Sequence, residues 1–260
     1  MGHRDKLNRA KEHLDSFQRE SIDWFKNYPQ PLVEVEAEDL EHTLIYARDD
    51  FPSERLGVLI GDIVQNLRQA LDHLAYSLAD FHSPTMTDRE RESSEFPVFW
   101  SRSGWPDAKT KKIGRLCPCA QAEIERLQPF NAGDPGYKTH SLWQLHELSR
   151  IDKHRLLLTT LLRSWPGSVI SRGVQWGSFE VYEQPLKRGA KIAAFTFRGT
   201  DPQVHVNFNV TFDIAFADGP LKGKGVQLAL AQLESEIERD VVAVLEPFLL
   251  AHNHIVQPVS

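Results

Sequence analysis

The chain has 260 residues, of which 41% are hydrophobic and 25% are charged, a composition typical of a folded globular protein rather than a disordered one. The formal net charge of −6 argues against a protein that coats nucleic acid non-specifically, because such binding requires an excess of Lys and Arg. The N-terminus lacks the apolar core of a signal peptide and no window approaches 18 apolar residues, so we expect a cytoplasmic protein without a membrane segment.

The two cysteines, Cys117 and Cys119, are separated only by Pro118. This spacing is typical of neither a zinc site nor a disulfide framework, and it agrees with a reducing cytoplasm. The sequence also carries no nucleotide-binding fingerprint and no nucleophile elbow. We therefore expect no cofactor and no metal in the principal interpretation below.

Periodicity in the first third of the chain predicts a helix, a hairpin and a second helix. Apolar residues keep helical spacing over 4–27, and a proline-rich segment follows. The segments 32–37 and 43–47 are alternating or β-branched and predict a short N-terminal hairpin. A long central helix is predicted over 54–82.

Residues 83–113 are mostly polar, which predicts a long connection. An apolar patch, Glu95-Phe-Pro-Val-Phe-Trp100, interrupts it, and we expect Phe96, Phe99 and Trp100 to pin it onto the core. The run from Lys109 to Arg115 is the most basic segment of the chain, and it is either solvated or an anion site.

The rest of the chain predicts three more helices and a sheet. The helices are expected over 118–128, 142–164 and 226–250, the second of them rich in leucine on nearly all sides. Between the last two helices the hydrophobic period changes to two, which predicts an antiparallel meander over 168–217 whose last strand includes 203–216. The fold class expected is a single α+β domain over 1–260. It would be a bundle of four or more helices with an inserted antiparallel β-meander and a short N-terminal hairpin.

The central helix has one apolar and one polar face. The apolar stripe, in steps of three and four, consists of Ile60, Ile63, Val64, Leu67, Leu71, Leu74 and Leu78. The opposite face gathers Asp62, Asn66, Gln69, His73, Tyr76 and Asp80. Arg68 and Asp72 flank it one turn apart, as an i,i+4 ion pair would require. Asn, Arg and His so close together could hold a phosphate and move a proton.

The segment Arg68-Gln-Ala-Leu-Asp-His73 resembles the arginine-to-histidine signature of the HEPN superfamily. These are helical-bundle proteins, many of them metal-independent endoribonucleases of toxin–antitoxin and antiviral systems. The resemblance implies that Arg68 holds the scissile phosphate, that His73 transfers a proton and that the RNA 2′-hydroxyl is the nucleophile. Because the two side chains point about 140° apart on an unbroken helix, a bulge or a dimer partner would be needed.

The same resemblance suggests further site residues and partners. Asn66 and Tyr76 would line the substrate site, and Arg150 would add a phosphate contact. Lys109, Lys111 and Lys112 would contribute in the same way. The partners implied are RNA, a second copy of the chain in a homodimer, and a protein antitoxin or defence partner.

The predicted leucine-rich helix carries charged residues that should not be left unpaired. We expect Glu147, Arg150, Asp152 and His154 to bond with the central helix or with a second subunit, and Asp72 to support Arg68. Leu67, Leu71 and Leu74 are expected to pack against this helix.

Two alternatives remain open. In the first, His73 joins His146 or His154, with Glu147 or Asp152, to bind Zn, Mn or Ni. That arrangement resembles the DinB-like metal-binding bundles. In the second, the protein is a non-enzymatic interaction module whose polar residues only satisfy one another in a buried network. That network would join Arg68, His73, Arg150 and His154.

Overall fold

The computed structural model describes residues 2–27, 34–39, 42–46, 52–164, 175–181, 189, 191–198 and 211–250. Its helices are α1 (Gly2–Asn27), α2 (Ser53–His82), α3 (Asp88–Ser93), α4 (Trp105–Ala108), α5 (Pro118–Arg126), α6 (Ser141–Asp152), α7 (Val226–Glu236) and α8 (Ala243–Leu245). Its strands are β1 (Glu34–Asp39), β2 (His42–Tyr46), β3 (Thr159–Ser164), β4 (Gln175–Val181), β5 (Lys191–Arg198) and β6 (Thr211–Phe216).

A helical bundle forms the core, as the sequence predicts. Helix α2 lies at its centre, packing along α1 on one side and against α6 on another, while α7 contacts both α1 and α6. All seven residues of the predicted apolar stripe of α2 are fully buried. The facing residues of α1, Leu7, Ala10, Leu14 and Phe17, are buried as well. Period-3.6 spacing therefore identified the buried faces of both long helices.

The strands form two antiparallel sheets, and the predicted single meander is not formed. One sheet has the order β1–β2–β5–β4, and the other contains only β3 and β6. The strands of the predicted meander are thus divided, because β5 pairs with β2 of the N-terminal hairpin and β6 pairs with β3. Residues 168–174, 182–188, 190 and 199–210 of that prediction lie outside the described residues.

The predicted helix over 142–164 is wrong in its second half. Helix α6 ends at Asp152, and Thr159–Ser164 is strand β3, paired in register with β6. Leucines on every side of this segment give no periodicity that separates a helix from a strand. The β-branched pair Thr159-Thr160 favours the extended form once β6 offers a partner.

The connection between α2 and α5 is fixed to the bundle by its apolar patch. Phe96 is fully buried and Val98 nearly so, whereas Trp100 is 46% exposed and does not pin the segment as expected. The buried amide of Gln128 secures it further. Its Nε2 donates to the carbonyls of Pro97 and Ile124, each at 3.0 Å, and its Oε1 accepts from the Phe99 amide at 2.9 Å.

The basic run that follows is partly helical. Helix α4 continues into a π-helical turn, Lys109–Ile113, whose Ile113 is buried. Within the described ranges, no helix has the length and apolarity needed to cross a membrane.

Candidate functional site

A cavity of about 360 Å³ lies where α2, α6 and the apolar patch meet. Its wall is formed by Arg68 of α2, residues 95–101, Ser103, Lys112 and His146 of α6. A volume of this size is at the lower end of the range for small-ligand pockets. The wall combines two cations and a histidine with aromatic side chains, which is the chemistry of a site for an anion attached to a flat ring.

Arg68 is the most buried charge of this wall. Its position beside the apolar stripe of α2 leaves its side chain only 12% exposed. The Nη2 group donates to Asp72 Oδ1 at 2.8 Å and to the Phe96 carbonyl at 2.6 Å. The Nη1 group is also buried, yet it has no hydrogen-bond partner among the described residues. Burial lowers the pKa of Arg68, and the nearby Asp72 carboxylate opposes that shift.

Asp72 fixes the guanidinium and the patch at once. Besides accepting from Arg68, its Oδ1 accepts from the Phe96 amide at 3.0 Å. The i,i+4 spacing on α2 brings Asp72 to Arg68, as predicted, but the bond to Phe96 depends on a segment more than twenty residues away. One carboxylate therefore orients the arginine relative to the cavity wall.

Lys112 and His146 complete the polar wall. Lys112 forms an ion pair with Glu95. Burial, and then the charge of Arg68, lowers the pKa of Lys112, while Asp72 opposes the shift. Burial is also the largest cause that lowers the pKa of His146, followed by the charge of Arg68. His146 is therefore mainly neutral at pH 7.

Trp100 supplies an accessible aromatic surface at this wall. Its ring centroid lies 6.0 Å from that of His146, with the two planes inclined by 45°. The neighbouring Phe99 packs edge-on against the buried Trp105, with centroids 5.9 Å apart. The Phe99 ring thus belongs partly to the core, whereas Trp100 keeps nearly half of its surface exposed.

His73, the predicted partner of Arg68, does not line the cavity. Helix α2 runs without interruption from Ser53 to His82, so the two side chains diverge by about 140°. His73 is exposed and lies against the N-terminus of α1, where a Cβ built on Gly2 would be 2.7 Å from its Nδ1. A single chain does not bring the two residues of the motif together.

The other predicted site residues of α2 also lie away from the cavity. Asn66 donates from Nδ2 to the carbonyl of Asp62 at 2.8 Å, an intrahelical bond. The hydroxyl of Tyr76 accepts from Arg91 Nη1 at 3.2 Å on an exposed surface. Neither is among the cavity residues.

The predicted polar network of α6 is formed only by Asp152. Its Oδ2 accepts from Gln65 Nε2 of α2 at 2.9 Å. Arg150 and Glu147 instead pair with each other at 2.8 Å, three residues apart, and Arg150 is exposed. His154 is exposed too, because α6 ends before it. The expected bond with α2 is therefore formed by Asp152 but not by Glu147, Arg150 or His154 within one chain. Their bonding with a second subunit stays a prediction.

Only one lysine of the basic run reaches the cavity. Lys109 pairs with Glu125 at 2.8 Å, Lys111 is exposed, and Lys112 lines the wall. Adjacent residues of a helical turn point in different directions, so a run of basic residues cannot present every charge to one ligand.

The two alternative interpretations gain no support from these positions. Across the described part of the chain, no three His, Cys, Asp or Glu side chains are grouped so that they could hold a metal ion. A buried network of the expected four residues is not formed either. The Arg68 side chain is only 12% exposed, whereas His73, Arg150 and His154 are exposed.

Sequence reasoning missed Glu95 and the accessible side of Trp100, and it considered His146 only as a metal ligand. A local signal existed, since a charged residue opens and a Trp closes an otherwise apolar patch. Their approach to Arg68, however, depends on how the connection after α2 folds back.

Neither models of known protein families, nor curated proteins, nor solved structures match this chain.

Proposed function

We propose that this protein is a HEPN-like RNA-binding protein whose cavity at Arg68 holds a phosphate of single-stranded RNA. The observation that carries the proposal is the buried guanidinium whose Nη1 lacks a partner among the described residues. A buried donor left unsatisfied costs about 1–3 kcal/mol. A phosphate oxygen would remove that cost and would add a charge-assisted hydrogen bond.

The aromatic wall supports RNA rather than a free inorganic anion. Proteins that recognise single-stranded RNA commonly stack unpaired bases on aromatic side chains near a cationic group. Trp100 offers such a surface in the same cavity wall as Arg68. The overall charge of −6 agrees with a local site and not with a long cationic track.

Cleavage is the finer form of this proposal. A metal-independent endoribonuclease forms a bond between the 2′-oxygen and phosphorus and breaks the bond to the 5′-oxygen. One group takes the proton of the 2′-hydroxyl, and another gives a proton to the leaving oxygen. Since His73 lies outside the cavity of its own chain, it would act from the second copy of a homodimer. Such an enzyme would belong to a toxin or antiviral defence system and would have a protein antitoxin or defence partner.

Binding is tested with a 3′-labelled single-stranded RNA by fluorescence polarisation. We expect Arg68→Lys to weaken binding by about tenfold or more, because lysine keeps the charge but loses the planar set of donors. Arg55→Ala is the matched control, since Arg55 is an exposed arginine of the same helix that pairs with Glu20. Equal affinities of the wild type and Arg68→Lys, with both folded, would contradict the proposal.

Cleavage is tested on the same RNA and in cells. Growth and total RNA integrity are compared for the wild type, Arg68→Ala and His73→Ala. If a homodimer joins Arg68 of one copy to His73 of the other, mixing the two inactive variants restores one intact site per mixed dimer and part of the activity. If the wild type binds RNA but neither it nor the mixed variants cleave it, the function is RNA binding alone. If the wild type neither binds nor cleaves RNA, a protein interaction module is favoured.

The pH dependence of binding provides a separate prediction about His146. Its pKa is lowered from 6.5, so it is neutral at pH 7 and becomes a cation only as the pH falls through the lowered value. We expect the RNA affinity of the wild type, divided by that of His146→Gln, to rise as the pH is lowered below 6.5. Because both proteins bind the same RNA at each pH, any effect of protonating the RNA itself is the same for both and cancels in this ratio. His154→Gln, which changes an exposed histidine, should leave that rise intact, and a ratio independent of pH would contradict the role of His146.

A further inference from the structure

We propose that the cavity at Arg68 binds a terminal phosphate monoester of RNA more tightly than an internal phosphodiester. This inference rests on the proposed RNA-binding function and specifies the part of the RNA that enters the cavity. Three observations support it: the two cations in the wall, the carboxylate that pairs with one of them, and the pairing of the cations nearby.

The wall contains two cations, and their like charges repel each other. Arg68 and Lys112 both line the cavity, and the charge of Arg68 is one cause of the lowered pKa of Lys112. An internal phosphodiester carries one negative charge, whereas a terminal monoester carries about −1.5 to −2 at pH 7 and three acceptor oxygens. Asp72 offsets part of the charge of Arg68, but the monoester, which has more charge and one more free oxygen, is still attracted to Arg68 and Lys112 more strongly than the diester.

Glu95 makes the site selective for charge. Its carboxylate already pairs with Lys112, and the Glu95 side chain is 46% exposed. A ligand that reaches Lys112 competes with this carboxylate, and Glu95 can turn into solvent at small cost because exposed pairs contribute little. A dianion competes better than a monoanion for the lysine. The ion pair therefore weakens binding of an internal phosphate more than that of a terminal one.

Most of the described cations near the wall are already paired with carboxylates, which disfavours a continuing RNA backbone. Lys109 and Arg102 both lie within ion-pair distance of Glu125, at 2.8 and 3.7 Å. Arg150, whose charge acts on His146, pairs with Glu147 at 2.8 Å. Arg102 also donates to Asn131 Oδ1 at 2.9 Å and lies over the Phe130 ring. The wall itself includes the buried Phe96 and Val98. A chain end, with one phosphate and one base, fits a cavity of about 360 Å³ bounded in this way.

The test compares short RNA trimers of one sequence with a 5′-phosphate, a 3′-phosphate or hydroxyls at both ends, together with inorganic phosphate. Binding is measured by calorimetry at pH 7.5. We expect one of the phosphorylated trimers to bind at least tenfold more tightly than the hydroxyl form. The base should make that trimer bind more tightly than inorganic phosphate.

Variants of the wall identify the cause of the preference. Lys112→Gln should abolish most of the preference, while Lys111→Gln, a neighbouring exposed lysine, should leave it unchanged. Glu95→Gln should improve binding of the hydroxyl trimer and thereby narrow the preference. Thermal melting checks that each variant remains folded, and a longer RNA with hydroxyl ends is included for every protein.

The outcomes separate the two proposals. If phosphorylated and hydroxyl trimers bind equally and Arg68→Lys weakens both, terminal recognition is wrong and the RNA-binding function stands. A preference that survives Lys112→Gln would also overturn the inference. If no RNA binds and inorganic phosphate alone does, RNA binding fails together with the inference.

Discussion

Replacing Gln128 by Met is expected to destabilise the fold by about 3–5 kcal/mol and to weaken ligand binding in the cavity. Met keeps the volume of Gln but removes all three hydrogen bonds that its amide makes to Pro97, Phe99 and Ile124. Gln128 is fully buried and its bonds to the Pro97 and Ile124 carbonyls are buried, so each carbonyl left behind costs about 1–3 kcal/mol. The bond to the Phe99 amide is only part-buried and adds less. Two of the three bonds hold the apolar patch, so the cavity wall should loosen before the bundle unfolds.

Urea denaturation and RNA binding measure the two effects. Gln121→Met, on helix α5 just before Gln128, is the matched control, because Gln121 is only half-buried and donates to the Leu116 and Gly114 carbonyls at the helix start rather than to the patch. That change should cost about 1 kcal/mol and leave binding unaltered. A Gln128→Met protein as stable as the wild type would show that the patch is held by its apolar contacts alone.

Leu71→Ala is expected to lower the free energy of unfolding by about 2–5 kcal/mol. Leu71 is fully buried in the centre of α2, the helix that packs against both α1 and α6. Truncation removes its transfer free energy and leaves a cavity that two rigid neighbouring helices cannot easily fill.

Leu228→Ala is the matched control for this prediction. Leu228 is 76% exposed on α7, so its truncation should change stability by no more than about 0.5 kcal/mol. Both variants are compared by urea denaturation with the wild type. A loss below about 1 kcal/mol for Leu71→Ala would mean that α2 is peripheral to the bundle.

The buried faces of α1 and α2 could be predicted from the sequence because a regular helix repeats its contacts every three or four residues. Leu67, Leu71 and Leu74 needed no knowledge of their partners to be placed inside. The same is true of the i,i+4 pair of Arg68 and Asp72, whose distance is set by helix geometry alone. Elements defined by local spacing were therefore determined by the sequence itself.

The candidate site was not determined in this way. The motif gave Arg68 its importance, but its partner in sequence, His73, lies on another side of α2. The groups that do share a cavity with Arg68 are Lys112 and His146, which are distant in sequence. Their meeting depends on how the connection after α2 folds back over the helix, and no local pattern encodes that path.

By itself, the sequence determined the long helices α1 and α2 and which of their faces are buried, because hydrophobic period and helix geometry are local properties. Only the tertiary structure decided that Thr159–Ser164 is a strand, since its leucine-rich surroundings suit either conformation and the pairing with β6 selects one. It also decided that the backbone of Phe96 bonds to both Arg68 and Asp72, while Arg68 Nη1 has no hydrogen-bond partner among the described residues. Those contacts join segments more than twenty residues apart, so they form, and stabilise the site, only when the chain folds.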